Sequence, residues 1–182
     1  MLTNHHCAYG AIQSFSAPEH DYLTDGFWAK GKDQEMHIED FFVSFLVRID
    51  DVTERVLSKV NDDMPEGERG AAVAAELDAI QKEYMEANPA YSYDMKTMYY
   101  GNEFYVFTYQ DYSDVRLVAA PPESVGKYGG DTDNWMWPRH TGDFSMLRIY
   151  ADKGNNPAAY SEDNLPLKPK RHLNISMAGV DQ

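Results

Sequence analysis

Between residues 41 and 119 the hydrophobic period of the chain changes twice. Phe41, Val43, Phe45, Val47 and Ile49 recur at every second position, with Ser44 and Arg48 on the other face, which predicts a strand. Asp51-Val52-Thr53-Glu54 then has the spacing of a capping box, and Val52, Val56 and Val60 follow at helical intervals. A second helix is expected from about Pro65 to Ala87. Val73, Leu77, Ile80 and Tyr84 form its apolar stripe, and Asn88-Pro89 stops it. Beyond it the short period returns. The runs 92–99 and 103–109 are rich in aromatic and β-prone residues and meet at Gly101-Asn102, a pair suited to a tight hairpin. Strands, two helices, then strands again predict a mainly β structure with a helical insertion at about 51–88.

The flanks fit that frame. Leu2–His5 is expected to end a strand, and 8–33, rich in Gly, Ser, Tyr and Asp, to form long surface loops. Residues 115–119 and 144–150 are further strand candidates. The stretch 126–141 is a loop rich in Gly, Asp and Trp, and 154–170 is polar and contains proline. With 182 residues, 43% of them hydrophobic, the chain has material for one packed domain or two small ones.

Charge and cysteine usage narrow the partners. Sixteen Lys and Arg against 30 Asp and Glu leave a net charge of −14, which opposes binding to nucleic acid or to anionic membrane surfaces. The longest apolar run, around Phe41–Val47, is too short to span a bilayer, so no membrane insertion is expected. Cys7 is the sole cysteine, which excludes an intrachain disulfide and a cysteine-rich metal site.

Two stretches could carry chemistry. Thr3-Asn4-His5-His6-Cys7 delivers histidines at a strand end, where one could serve as general base if a carboxylate fixes its tautomer. A solvated polar strand end and a metal-binding pair are the competing readings. Adjacent strand residues point to opposite faces, so His5 and His6 would not readily chelate one ion. The second stretch is Asn134-Trp135-Met136-Trp137-Pro138-Arg139-His140-Thr141-Gly142-Asp143-Phe144, two Trp rings beside amide, cationic and carboxylate groups. Asp143 there either partners a base or caps a turn. Asp131 and Asp133 lack further oxygen ligands at calcium-binding spacing, and no glycine loop precedes a helix pattern as phosphate binding would need. No metal or organic cofactor is expected.

Together these stretches resemble a known family. Thr3–Cys7 resembles the element around the catalytic His of chymotrypsin-like serine peptidases, and Asp143–Ile149 their Asp-led strand. The run Thr-Asn-His-His-Cys followed by Tyr-Gly-Ala-Ile-Gln is more closely similar to the bacterial dipeptidyl-peptidase 7/11 family. Residues 21–29, 49–53 and 134–144 are similar to it as well. The resemblance implies a partial chymotrypsin-like double β-barrel in which 1–182 is an incomplete catalytic domain. It implies an activity that removes dipeptides from free peptide N-termini. His6 would be the general base, Asp143 its orienting partner and His5 a neighbour. Asn134 and Trp135 would line the pocket for the substrate's N-terminal amine.

One departure matters. The family's nucleophilic Ser sits in a Gly-rich turn far downstream, and this sequence has no such element. Ser145 lies on the Asp strand without oxyanion-hole glycines around it. The chain is therefore expected to be a piece of a longer peptidase and inactive alone. The resemblance further implies that Cys7 pairs with a cysteine outside this range, in a periplasmic, cell-surface or secreted enzyme. Homodimerisation of the longer protein is compatible with it. The alternatives are a chymotrypsin-type endopeptidase and a non-catalytic peptide-binding domain of the same fold.

Overall fold

In the computed structural model, residues 1–127 and 142–179 are described. They fall into two compact units, one from residues 1–41 and 113 onward, the other from 42–112.

The first unit begins with β1 (Leu2–Thr3), α1 (Tyr9–Ser14), α2 (Tyr22–Asp25), β2 (Phe27–Trp28) and β3 (Met36–His37). The second unit holds β4 (Val43–Asp51), α3 (Thr53–Leu57), α4 (Glu66–Ala87), β5 (Ser92–Met98) and β6 (Glu103–Tyr112). The chain then returns to the first unit with β7 (Val115–Ala120), α5 (Glu123–Gly126), β8 (Ser145–Ala151) and β9 (Leu165–Pro166). Mainly β architecture with some helix is thus what the residues form, and neither sheet closes on itself among the described residues.

In the first unit β8 lies between β1 and β7, all antiparallel, with Thr3 opposite Ser145 and Leu117 opposite Leu147. β2 and β3 pair with β7, and β9 with β8. Val115, Leu117, Ala119, Leu147 and Ile149 are buried in the two central strands of this sheet. The sheet also buries a charged pair. Arg116 donates from Nε to Asp114 Oδ1 at 2.9 Å and from a terminal nitrogen to Oδ2 at 2.8 Å, and Asn164 adds a bond to Oδ2 at 2.9 Å. The guanidinium lies 3.7 Å from the Tyr150 ring centre, a cation–π contact away from bulk water. Tyr150 in turn donates to Glu35 at 2.8 Å, and burial with that carboxylate pushes its hydroxyl up to about 12.

In the second unit the three-stranded sheet runs β4, β6, β5. Val52, Val56, Ile80, Phe104 and Val106 form its buried core, with Val73, Leu77 and Tyr84 of the expected α4 stripe packed against it. α4 starts after Pro65 with Glu66 and Glu68 in its first turn, favourable to the helix dipole, and ends at Asn88 before Pro89. Arg55 reaches from α3 to Glu76 at 2.8 Å and Glu83 at 2.7 Å on α4. The two helices lie within 51–88, and the compact unit they belong to spans 42–112 and includes β4, β5 and β6.

Several expectations need correcting. Residues 8–33 are not loops alone, since they hold α1, α2 and β2. Ile12 and Leu23 are buried there, and Asp21 caps α2 by accepting from Leu23 and Thr24. The strand at the N-terminus stops at Thr3, and His6–Ala8 forms a turn of 3-10 helix. The hairpin between β5 and β6 turns through four residues, 99–102, with Tyr99, Tyr100 and Gly101 at positive φ. The alternation in β4 does not bury one face: Phe45, Leu46, Val47 and Ile49 are all exposed on this edge strand. Periodicity says which residues share a face, not whether anything covers it. Among the described residues no helix is long and apolar enough to cross a membrane.

Candidate active site

β1 and β8 are neighbours in the first sheet, so the turn leaving β1 lies beside the residue that enters β8. Position 6 and position 143 therefore meet although 137 positions separate them. His6 Nδ1 is 2.9 Å from Asp143 Oδ2. The pair is built largely by backbone. The N–H groups of His5 and His6 both donate to Asp143 Oδ1, at 2.7 and 3.3 Å, as the chain turns into its 3-10 helix. Asn4 Nδ2 donates to Oδ2 at 3.1 Å. Four N–H donors thus converge on one carboxylate. Partial burial draws its proton affinity upward, but the Asn4 amide, the His6 N–H and ring and the His5 N–H outweigh it. They hold the Asp143 carboxyl below its ordinary range.

The geometry defines the imidazole's chemistry. With Nδ1 facing a carboxylate, the favoured tautomer carries its proton on Nδ1 and leaves Nε2 as an acceptor. The His6 side chain is 64% exposed, against 26% for Asp143, and Nε2 makes no hydrogen bond to any described residue. An oriented, open imidazole can take a proton from a nucleophile brought to it.

The His5 side chain is placed differently. It is 2% exposed, and its Nε2 is buried without a hydrogen-bond partner among the described residues. Its ring packs on Gly126, where an added Cβ would lie 2.6 Å from His5 Cγ. The two histidines thus diverge, as the sequence suggested, although a helical turn and not strand alternation separates them. Ser145 is wholly buried and donates to the Asn4 carbonyl at 3.0 Å. Cys7 is exposed and unpaired. Asn134 and Trp135 lie outside the described residues, as do Asp131 and Asp133. The contribution of Asn4 was not foreseen. Its type fits many polar positions, and only the fold brings its amide to Asp143.

The sequence matches the profile named Peptidase S46 over residues 1–182. The chain belongs to the Peptidase S46 family. It is 53% identical over 182 residues to the dipeptidyl-peptidase 7 of Capnocytophaga gingivalis, covering 100% of this chain and 25% of that protein. It is 48% identical over 187 residues to the Asp/Glu-specific dipeptidyl-peptidase of Porphyromonas gingivalis, covering 100% of this chain and 26% of that protein. Among solved structures, Porphyromonas endodontalis DPP11 in complex with the dipeptide Arg-Asp aligns with a TM-score of 0.85 at 45% identity. That alignment covers 98% of this chain and 26% of the other. The same enzyme with the dipeptide Arg-Glu gives a TM-score of 0.82 at 44% identity, over 99% and 26%. The S46 chain described here spans about a quarter of the length of these relatives.

Proposed function

We propose that this chain is the part of a serine-type dipeptidyl-peptidase that supplies the general base, His6, and its orienting carboxylate, Asp143. The observation that carries the reading is the 2.9 Å approach of His6 Nδ1 to an Asp143 carboxylate anchored by backbone N–H groups. The mechanism follows from that arrangement. A Ser hydroxyl outside these 182 residues attacks the scissile carbonyl while His6 Nε2 takes its proton. Asp143 stabilises the imidazolium, which then protonates the leaving amine. Ser145 does not fit the nucleophile's role, because it is buried and committed to the Asn4 carbonyl. The open antiparallel sheet of β1, β8 and β7 is read as a portion of a chymotrypsin-type β-barrel, with the base following one strand and the Asp preceding another.

Dipeptide release from free N-termini is proposed from the relatives, several of which are named dipeptidyl-peptidases. Asn134 and Trp135 are assigned to the ammonium pocket by sequence resemblance. An amide oxygen accepts from the amine there, and the indole offers its π face. No metal or organic cofactor enters this reading. A periplasmic, surface or secreted location, with Cys7 paired to a cysteine elsewhere in the longer protein, and homodimerisation of that protein belong to the same proposal.

The test compares free and N-acylated forms of one chromogenic peptide on the longer enzyme that includes this chain. Cleavage confined to the free form, releasing dipeptides, is the expected result. Preference for the acylated form would make it an endopeptidase and remove the amine pocket. Absence of hydrolysis of either form would favour a binding domain.

A further inference from the structure

The two oxygens of the Asp143 carboxylate are held by different means. Oδ1 takes the backbone N–H groups of His5 and His6, donors that any pair of residues in this turn would offer. Oδ2 takes side chains, with His6 Nδ1 at 2.9 Å and Asn4 Nδ2 at 3.1 Å. A carboxylate gripped at one oxygen can still swing about its Cβ–Cγ bond. A second donor at the other oxygen fixes its plane. The Asn4 backbone is itself held, since its main-chain carbonyl oxygen accepts the Ser145 hydroxyl at 3.0 Å, and Ser145 sits fully buried in β8 opposite Thr3. A chain of two hydrogen bonds thus runs from the sheet core to the oxygen that faces the imidazole. The amide side chain suits the post, because it donates at every pH and brings no charge of its own.

We infer that Asn4 is a positioning residue, whose amide fixes Asp143 Oδ2 toward the His6 ring. The inference rests on His6 and Asp143 being the base and its orienting partner. It concerns a residue that acts through Asp143.

Asn4 is exposed, so its side chain can be altered without opening the core. Two substitutions separate positioning from mere packing. Asn4→Leu keeps the side chain's bulk and removes the donor. Asn4→Asp keeps its shape and sets a like charge against Oδ2. Carboxyl carbon NMR of the 182-residue chain, with Asp143→Asn for assignment, reads the titration of Asp143 directly. The expected result is a titration moved to higher pH in Asn4→Leu and further still in Asn4→Asp, since a lost donor and an added anion both disfavour the ionised form. In the longer enzyme, Asn4→Leu is expected to lower kcat roughly ten- to a hundredfold, the scale seen when a partner of an active group is removed, with KM little changed. An Asp143 titration unmoved in both variants, or kcat retained in Asn4→Leu, would overturn the inference. If His6→Ala left hydrolysis intact, the assignment of His6 as base would fail instead. The Asp143 titration would still report whether Asn4 grips the carboxylate.

Discussion

Ser145 donates its hydroxyl proton to the backbone carbonyl of Asn4, across the β1–β8 pairing and beside the acid that faces His6. A serine next to a His–Asp pair invites assignment as the nucleophile, and this bond argues against it. Ser145→Ala would leave the Asn4 carbonyl without its partner. We expect a loss of about 1 kcal/mol, read by urea unfolding, typical of one hydrogen bond. Hydrolysis by the longer enzyme should remain far above the His6→Ala level. Loss of hydrolysis as complete as for His6→Ala would return Ser145 to candidacy.

Asp114 and Arg116 form the buried charged pair of the first unit. Arg116, Asn164 and His37 oppose the burial of the Asp114 carboxyl and hold it below the ordinary carboxylate range. A carboxyl depressed on folding adds stability above its unfolded value, about 3.9, and that stability is lost as the pH falls through the folded value. Urea midpoints should therefore decline on acidification below about pH 5. Asp114→Ala, which strands a buried guanidinium, should cost roughly 3–5 kcal/mol at neutral pH and flatten the decline. A midpoint that rises on acidification would contradict the sign.

Gly126 sits against the buried ring of His5, with no room for a methyl group. Gly126→Ala should destabilise the chain by about 1–3 kcal/mol, as overpacking does. The double variant with His5→Ala should recover much of that loss, because it removes the obstructing ring. Equal costs with and without the imidazole would mean that the contact is not what selects glycine here.

The exposed edge strand β4 carries Phe45, Leu46, Val47 and Ile49 with their side chains half in water. An apolar edge of this kind is a template for pairing with another chain. The isolated chain should associate with rising concentration in sedimentation velocity, and Leu46→Lys should suppress that association. A chain that stays monomeric to high concentration without the substitution would count against it.

The long elements were legible because their patterns are long. α4 shows a stripe of four apolar residues before a proline stop, and its bounds lie within a residue of those expected. β7 and β8 were placed equally well, being short apolar runs between turn signals. α1 and α2 were not foreseen. They are six and four residues long, too short for a stripe, and rest on single anchors, Ile12 and Leu23, with an Asp21 cap. At the site, a motif could pair His6 with Asp143, but residue types alone could not say which histidine faces the acid. The backbone turn decides that, since it buries His5 and leaves His6 open. The amide of Asn4 was invisible for a related reason. Its partner is 139 positions away and is reached only when β1 lies beside β8.

The proposed roles of His6 as base and Asp143 as its orienter have a direct kinetic consequence. The most direct measurement is the rate of dipeptide release from a free-N-terminus chromogenic peptide by the longer enzyme, compared with its His6→Ala and Asp143→Asn variants. Each substitution is expected to lower kcat by about ten thousandfold while the protein stays folded, as loss of tautomer control or of the base does in Ser-His-Asp enzymes. Rates within about tenfold of the unchanged enzyme, a barrier change of only about 1.4 kcal/mol, would contradict those roles.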